Sequence, residues 1–262
     1  MDNLNKITND MKFLAKSEIR MKLISELNNQ PNNVSGLVEL TKITYSSVSM
    51  NIRKLEKHNY IKKIRNKYYV NPTTNIYFKT LMDFKNSIDM INDYDSFWDK
   101  HNLNQLSLNS IKQITSLKDA DLIESTPIDI FKTHETIKNQ LNNAHCVKAI
   151  FPYIHPEYPH VLEKILRHGG NVELILPQNI FKELLFRING NVRRMSLKNK
   201  QLKVHKYKKE LNLYLAICDK NMSLGLFKTD GSFDQNRILV SDNYESYIWA
   251  NDLYDHIKTQ GI

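Results

Sequence analysis

Hydrophobic residues recur every three or four positions in the first third of the chain, and this spacing predicts three short helices. The predicted helices span residues 14–29, 35–42 and 45–58. A side-chain oxygen just before a helix accepts one of its free backbone N–H groups. The residues placed to do this are Ser17, Ser35 and Thr44. The predicted inward face of the third helix consists of Val48, Ile52 and Leu55.

Two short strands are predicted directly after these helices, at residues 61–65 and 67–70. Asn66 lies between them and tolerates turn geometry, and Pro72 is predicted to close the unit. Two short helices with a tight break between them, followed by a basic hairpin, form the order of a winged helix-turn-helix. We therefore predict that the third helix enters the major groove of DNA.

Charge strengthens this interpretation, because the net charge of +9 is concentrated in one segment. Residues 1–80 hold 14 Lys and Arg against 6 Asp and Glu, whereas residues 81–262 hold 23 against 22. A Lys or Arg near a phosphate displaces a condensed counterion, so the segment favours double-stranded DNA as partner over a merely solvated basic face. The predicted DNA-binding residues are Thr44, Tyr45, Ser46, Ser47, Ser49, Met50, Asn51, Arg53, Lys54, Lys62, Lys63, Arg65, Lys67 and Tyr68.

A single amphipathic helix is predicted over residues 77–98. Its apolar stripe consists of Tyr77, Leu81, Phe84, Ile88, Ile91, Tyr94 and Trp98. Such a stripe must pack on something, either the same helix of a second chain or the chain's own second domain. A DNA reader of this class usually needs two copies to match two half-sites, which favours a homodimer.

From about residue 106 the pattern changes to alternating strands and helices. The predicted strands are 146–151, 172–176, 202–205, 211–218, 223–228 and 237–240, and the last helix is predicted over about 243–258. The helix between the first two strands implies that these two strands are parallel. The predicted fold class is α+β, with a winged helix-turn-helix at residues 1–76, a connecting helix at 77–105 and an α/β sandwich at 106–262.

Enzyme templates are not matched by this chain. It has no Gly-rich phosphate loop, no G-x-S-x-G turn and no H-E-x-x-H helix, and it has only 7 Gly. Cys146 and Cys218 lie in apolar strands and are predicted to be small core residues. His155 and His160 have a spacing that a metal could bridge, but no third ligand is evident. We predict no metal and no cofactor.

The N-terminus is polar and no apolar run approaches the roughly 20 residues of a membrane span, so a cytoplasmic protein without a membrane partner is expected. One segment, residues 151–160, is suited to ligand binding. It follows a predicted parallel strand, and ligands collect at the carboxyl ends of such strands. Its two Tyr, two His and three Pro give rigid apolar walls with polar tips. A packed aromatic loop is the alternative. Arg237, on a neighbouring strand, would suit an anionic ligand.

Several stretches resemble archaeal winged-helix regulators first described as methanogenesis regulators. The stretches are 47–55 (SVSMNIRKL), 122–126, 128–131, 150–159 (IFPYIHPEYP), 217–227 (ICDKNMSLGLF) and 230–242 (DGSFDQNRILVSD). The resemblance implies an archaeal transcription factor from a methanogen. The sensor domain of that family is similar to the phospholipase D-like domain of TrmB-type sugar regulators. This similarity implies a cavity for an unknown small-molecule effector, lined by Phe151, His155, Tyr158, Asn236 and Arg237, with His205 at its edge.

Active phospholipase D enzymes carry an H-x-K motif, whereas here His205 is followed two residues later by Tyr207. A ligand-sensing relic is therefore favoured over an enzyme. The leading hypothesis is a homodimeric transcription regulator whose winged domain reads an operator under control of the sensing domain. The alternatives are a phosphodiesterase that uses His205 and a DNA-tethered adaptor that binds another protein.

Overall fold

The structure, a computed structural model, describes residues 12–261. The chain divides into two compact units, Met1–Asn86 and Ser87–Ile262. No helix within residues 12–261 is both long enough and apolar enough to cross a membrane.

Residues 18–70 of the first unit form three helices and a hairpin. The helices are α1 (Glu18–Asn29), α2 (Val34–Thr41) and α3 (Tyr45–Lys57), and the antiparallel strands are β1 (Ile61–Ile64) and β2 (Lys67–Val70). Leu23 and Ile24 of α1, Leu37 of α2, and the predicted inward face of α3 are buried together in one core. The predicted order of three helices followed by two strands is observed within residues 18–70, but the first helix begins at Glu18 and not at residue 14.

The helix caps follow the sequence in part. The Ser17 side chain accepts a hydrogen bond from the Arg20 N–H at 3.3 Å, as predicted. Helix α2 is capped by Asn33 and not by Ser35, because the Asn33 side chain accepts the Gly36 N–H at 2.9 Å and Ser35 is already helical. Thr44 occupies the cap position of α3, but its hydroxyl bonds the Ser47 hydroxyl at 3.0 Å and not a backbone N–H.

The predicted helix over residues 77–98 is two helices in the structure, α4 (Pro72–Asp93) and α5 (Asp95–Trp98). Pro72 begins α4 instead of closing the first unit, because a proline's fixed φ suits the first turn of a helix. The exposed apolar residues of α4 include Tyr77, Phe84, Ile88 and Ile91, whereas Trp98 is buried in the core of the second unit.

A seven-stranded mixed sheet forms the centre of the second unit, in the strand order β3-β9-β8-β7-β4-β5-β6. The strands are β3 (Asp121–Glu124), β4 (Cys146–Ile150), β5 (Asn171–Pro177), β6 (Leu202–Tyr207), β7 (Leu213–Cys218), β8 (Asn221–Leu226) and β9 (Arg237–Ser241). The prediction that β4 and β5 are parallel is confirmed; β6 continues the parallel set, and the other pairs are antiparallel.

Helices cover both faces of this sheet. They are α6 (Leu108–Lys112), a 3₁₀ turn (Ile114–Leu117), α7 (Lys132–Asn143), α8 (Tyr158–Arg167), α9 (Gln178–Arg187), α10 (Gly190–Lys198) and α11 (Tyr244–Gly261). Alternate strand residues point to opposite faces. One face packs with Trp249 and Leu253 of α11, and the other packs with Leu162 of α8 and Ile137 of α7. We refer to these as the α11 face and the α8 face.

Strand β3 and helix α7 are not among the predicted elements. Strand β3 is a four-residue edge strand in which no residue is fully buried. Helix α7 buries only Thr133, Ile137 and Leu141, a narrow stripe at intervals of four residues. Both elements bury too little apolar surface for a clear sequence pattern, and long-range packing decides them.

Candidate functional site

The outer side of helix α3 is polar and accessible. Tyr45 and Met50 are 60% and 51% exposed, and Ser46, Arg53 and Lys54 are also exposed, while Ser47 and Ser49 are half-buried. A three-residue connection joins α2 to α3, and Lys42 in it adopts φ 59°, in the left-handed region. This tight connection allows α3 to pack its apolar side against α1 and α2 while its polar side stays open.

The hairpin that follows α3 carries a dense positive charge. Lys62, Lys63, Arg65 and Lys67 are all exposed, and Arg65 in the turn takes the left-handed φ of 54°. Within residues 12–261, no carboxylate lies within 4.0 Å of the charged groups of these four residues, nor of those of Arg53 and Lys54. Their charge is therefore available to an external anion.

Two predicted DNA-binding residues do not belong to this open surface. Asn51 is only 4% exposed, and its side-chain amide donates to the Ser47 carbonyl at 2.9 Å. Tyr68 is 8% exposed and packs in the core of the first unit. The sequence shows that both are polar residues on a basic segment, but the register of α3 and of β2 turns them inward.

The second unit contains a cavity of about 640 Å³ on the α8 face of the sheet. Its walls come from the start of α7, the loop after β4 and the segment before β9. The lining side chains include Phe131, His134, Lys138, Tyr153, His155, Glu157, Phe233 and Asn236. The cavity lies beside the segment 151–160 that the sequence analysis selected.

Four ionisable residues meet on one wall of this cavity. His134 Nε2 lies 3.0 Å from Glu157 Oε2, and the Lys138 ammonium donates to Glu157 Oε1 at 2.5 Å. The rings of His134 and His155 are tilted by 31° to each other, with centroids 3.7 Å apart. Hydrogen bonds from Lys138 and His134 lower the pKa of the Glu157 carboxyl from 4.5 to about 2. Burial lowers the pKa of His155, and the neighbouring His134 lowers that pKa further.

Four of the six predicted effector residues do not line the cavity. Phe151 and Tyr158 are 0% and 1% exposed, and their rings pack together in the core beneath the cavity, 4.7 Å apart. Burial of the Tyr158 hydroxyl raises its pKa well above the usual value. The sequence pattern of a rigid aromatic loop does not show which of its aromatic residues line a cavity and which are buried beneath that cavity.

Arg237 and His205 point to the other face of the sheet. Ile238 lines the cavity, so Arg237, the preceding residue of an extended strand, faces the α11 side. There its guanidinium bonds Glu124 at 2.6 Å and contacts the buried Asp234 at 3.4 Å.

Strand alternation likewise places His205 beside Tyr207 on the α11 face, where its Nε2 lies 2.9 Å from Glu173 Oε1. The Lys258 ammonium of α11 bonds the same oxygen at 2.6 Å. Only His155 and Asn236 of the six predicted residues remain at the cavity.

His134 and Lys138 are not among the residues predicted from the sequence, because helix α7 has no clear sequence pattern. The two residues are four apart, which puts them on one side of the helix. The repetition of Thr133, Ile137 and Leu141 is the signal that could have found it. The prediction for the cysteines is half right, since Cys218 is buried, which raises its pKa to about 12, whereas Cys146 begins β4 and is exposed.

The chain thus consists of a basic helical module followed by an α/β domain that holds a cavity. Family models agree with this division. The N-terminal domain of the methanogenesis regulatory protein FilR1 matches residues 8–89, and the middle domain of that protein matches residues 130–260. The chain belongs to the FilR1 family.

The FilR1 protein of Methanothrix harundinacea (strain 6Ac) is 20% identical over 251 residues, which is 94% of this chain. The chain spans 56% of the length of that curated relative. Among solved structures, the archaeal chromatin protein TrmBL2 aligns with 98% of this chain and 99% of its own, with 11% identity and a TM-score of 0.43. A polyphosphate kinase from Porphyromonas gingivalis aligns with 55% of this chain and 26% of its own, with 8% identity and a TM-score of 0.36.

Proposed function

We propose that this protein is a transcription regulator that binds double-stranded DNA through α3 and the β1–β2 hairpin. One observation carries the proposal: the exposed cations of these elements have no acidic partner within residues 12–261. A winged helix-turn-helix uses the same arrangement, with a helix in the major groove and positive charge against phosphates. The family assignment supports a regulatory role.

The proposed contacts divide into two kinds. The exposed Ser46 and Arg53 and the half-buried Ser49 on α3 are proposed to bond base edges, together with the other exposed residues of that helix. Lys62, Lys63, Arg65 and Lys67 on the hairpin are placed to neutralise phosphates, which gives affinity without sequence preference.

We further propose that the protein acts as a homodimer joined through α4. Tyr77, Phe84, Ile88 and Ile91 share one side of the helix by their spacing, and each is more than 40% exposed. A symmetric pair of such helices would cover this stripe and match the two half-sites of an operator.

The second unit is proposed to sense a small molecule in the cavity formed by α7, the loop after β4 and the segment before β9. A volume of about 640 Å³ and walls that combine apolar side chains with convergent polar groups are compatible with a small-molecule site. The phospholipase D-like ancestry of this unit stays a prediction from the sequence. The phosphodiesterase alternative gains no support, because His205 is paired with Glu173 on the face opposite the cavity.

The DNA-binding proposal is tested by salt titration of the full chain on a panel of duplexes. Replacing Lys62, Lys63, Arg65 and Lys67 with Ala should weaken binding to every duplex by about 100-fold and reduce the salt slope by about one unit per lost phosphate contact. The matched control, which changes the net charge equally, replaces four exposed lysines of the second unit, Lys198, Lys203, Lys208 and Lys209. Equal weakening in both variants would contradict the proposal.

A further inference from the structure

The wall of the cavity in the second unit brings together three potential metal ligands. His134, His155 and Glu157 each offer a ligand atom, and these atoms all lie within 4.8 Å of one another. The His134 Nε2 and Glu157 Oε2 atoms are already 3.0 Å apart. Two ligands bound tetrahedrally to one Zn²⁺ at its usual bond lengths are separated by about 3.3 Å. The His155 ring nitrogen, which lies within 4.8 Å of the other two ligand atoms, must approach them by up to about 1.5 Å to complete the set.

The backbone that carries these ligands is held in place. His155 and Glu157 belong to a short loop whose His155 carbonyl accepts the Tyr158 N–H at 3.1 Å, and Tyr158 is anchored in the core. The Glu157 carbonyl accepts the Val161 N–H at 3.1 Å, which ties the loop to α8. His134 lies in the first turn of α7, next to the buried Thr133. Ligands fixed by rigid elements lose little entropy on metal binding.

We infer that this cluster binds a divalent transition-metal ion of the zinc class through His134 Nε2, a ring nitrogen of His155 and Glu157 Oε2. Two imidazoles and one carboxylate suit Zn²⁺ and its neighbours, whereas Mg²⁺ and Ca²⁺ prefer sets of oxygen ligands. Three protein ligands leave one position of a tetrahedral ion open. That position faces the cavity, because all three side chains line it.

Lys138 lies beside these three residues and bonds one of them, Glu157. Its ammonium bonds Oε1 of Glu157, which leaves Oε2 directed at His134. The ion would replace the contact between His134 and Glu157 and would retain the bond from Lys138. A ligating carboxylate is commonly fixed in this way by a hydrogen bond to its other oxygen. The positive charge of Lys138 opposes cation binding, so removing it should leave a site that still takes one ion.

The open position gives the ion a regulatory use, and this part of the inference rests on the proposed sensing function. A water molecule or an anionic donor atom of an effector can complete the coordination. The apolar side chains of Phe131, Tyr153 and Phe233 on the same cavity would hold the body of such an effector.

The test is a titration of the untagged full chain with Zn²⁺ after treatment with a chelator, with Co²⁺ as a spectroscopic probe. We expect one ion per chain and the visible absorption bands of tetrahedral Co²⁺. Changes around the ligands alone cost about 10- to 100-fold in metal affinity, so His134→Ala and Glu157→Gln should cost at least that. Glu157→Gln preserves the shape of the side chain, and circular dichroism checks that both variants are folded.

His160→Ala is the matched control, because His160 is exposed on α8 and lies outside the cluster. Its affinity for Zn²⁺ should equal that of the unchanged chain. Failure of the unchanged chain to bind an ion, or equal binding by folded His134→Ala protein, would overturn the inference. Metal binding is measured here without DNA, and the salt titration above without metal, so failure of either proposal is recognised separately.

Discussion

The two units of this protein use charge in opposite ways. In the first unit, the cations of α3 and the hairpin extend into solvent, and their charge is unmatched within residues 12–261. In the second unit, charged groups bond partners on other elements, as Arg237 does with Glu124 and as Glu157 does with Lys138 and the His134 imidazole. An unmatched surface attracts a polyanion over a distance, whereas a matched cluster positions groups for a ligand at contact. The number of charged residues in the sequence reveals only the unmatched basic surface of the first unit.

Phe151 belongs to the core of the second unit and does not line its cavity. Phe151→Ala should lower the free energy of unfolding by about 3–5 kcal/mol, because it leaves a hole between Tyr158 and Tyr214. Asn236→Ala, at an exposed residue that does line the cavity, should change that free energy by no more than about 0.5 kcal/mol. Urea denaturation measures both. Similar small effects would place Phe151 at the cavity.

The exposed apolar stripe of α4, like the charged surface of the first unit, is proposed to bind a partner, here a second copy of the chain. If the proposed dimer forms through α4, Phe84→Asp or Ile88→Asp should each remove about 1.5–3 kcal/mol of burial and raise its dissociation constant about 10- to 100-fold. Sedimentation velocity measures the change. Ile76→Asp is the control, since Ile76 is 65% exposed on the same helix but lies outside the stripe. Unchanged dimers in the first two variants would place the interface elsewhere.

A substitution of Asn51 tests whether this residue of α3 stabilises the core or contacts DNA. Asn51→Ala loses a hydrogen bond in the core and should lower the free energy of unfolding by about 1 kcal/mol. Its relative affinities for different duplexes should stay the same, whereas those of Arg53→Ala should change. Thermal denaturation and a competition assay on a duplex panel separate the two effects. A changed sequence preference in Asn51→Ala would restore Asn51 to the DNA-reading set.

The smallest expected effect concerns Glu157 at low pH. Its folded-state pKa of about 2 lies below the ordinary value of 4.5, so its contribution to stability is complete above pH 4.5 and is lost as the pH falls toward 2. The difference in unfolding free energy between the metal-free protein and Glu157→Gln should therefore shrink between pH 5 and about pH 3. Because the carboxylate is 42% exposed, solvent screening keeps the effect small. A difference independent of pH would contradict this assignment.

The local spacing of apolar residues was sufficient to predict an element where that element buries one clear apolar stripe. Val48, Ile52 and Leu55 fix α3, and the apolar runs of β4 and β5 fix a parallel pair. The same reasoning fails at Pro72, which is compatible with both the end of a unit and the first turn of α4. It fails again at α7, whose exposed polar residues mask a narrow apolar stripe.

The sequence by itself determined the order of elements in the first unit, the concentration of charge there and the segment beside which a cavity forms. These depend on the spacing of apolar residues and on composition, which are local properties. The tertiary structure alone decided which side chains meet. Adjacent residues of a strand face opposite sides of the sheet, which separates Arg237 from the cavity that Ile238 lines. Long-range packing brought His134 within 3.0 Å of Glu157, 23 residues away along the chain, and no local pattern carries that information.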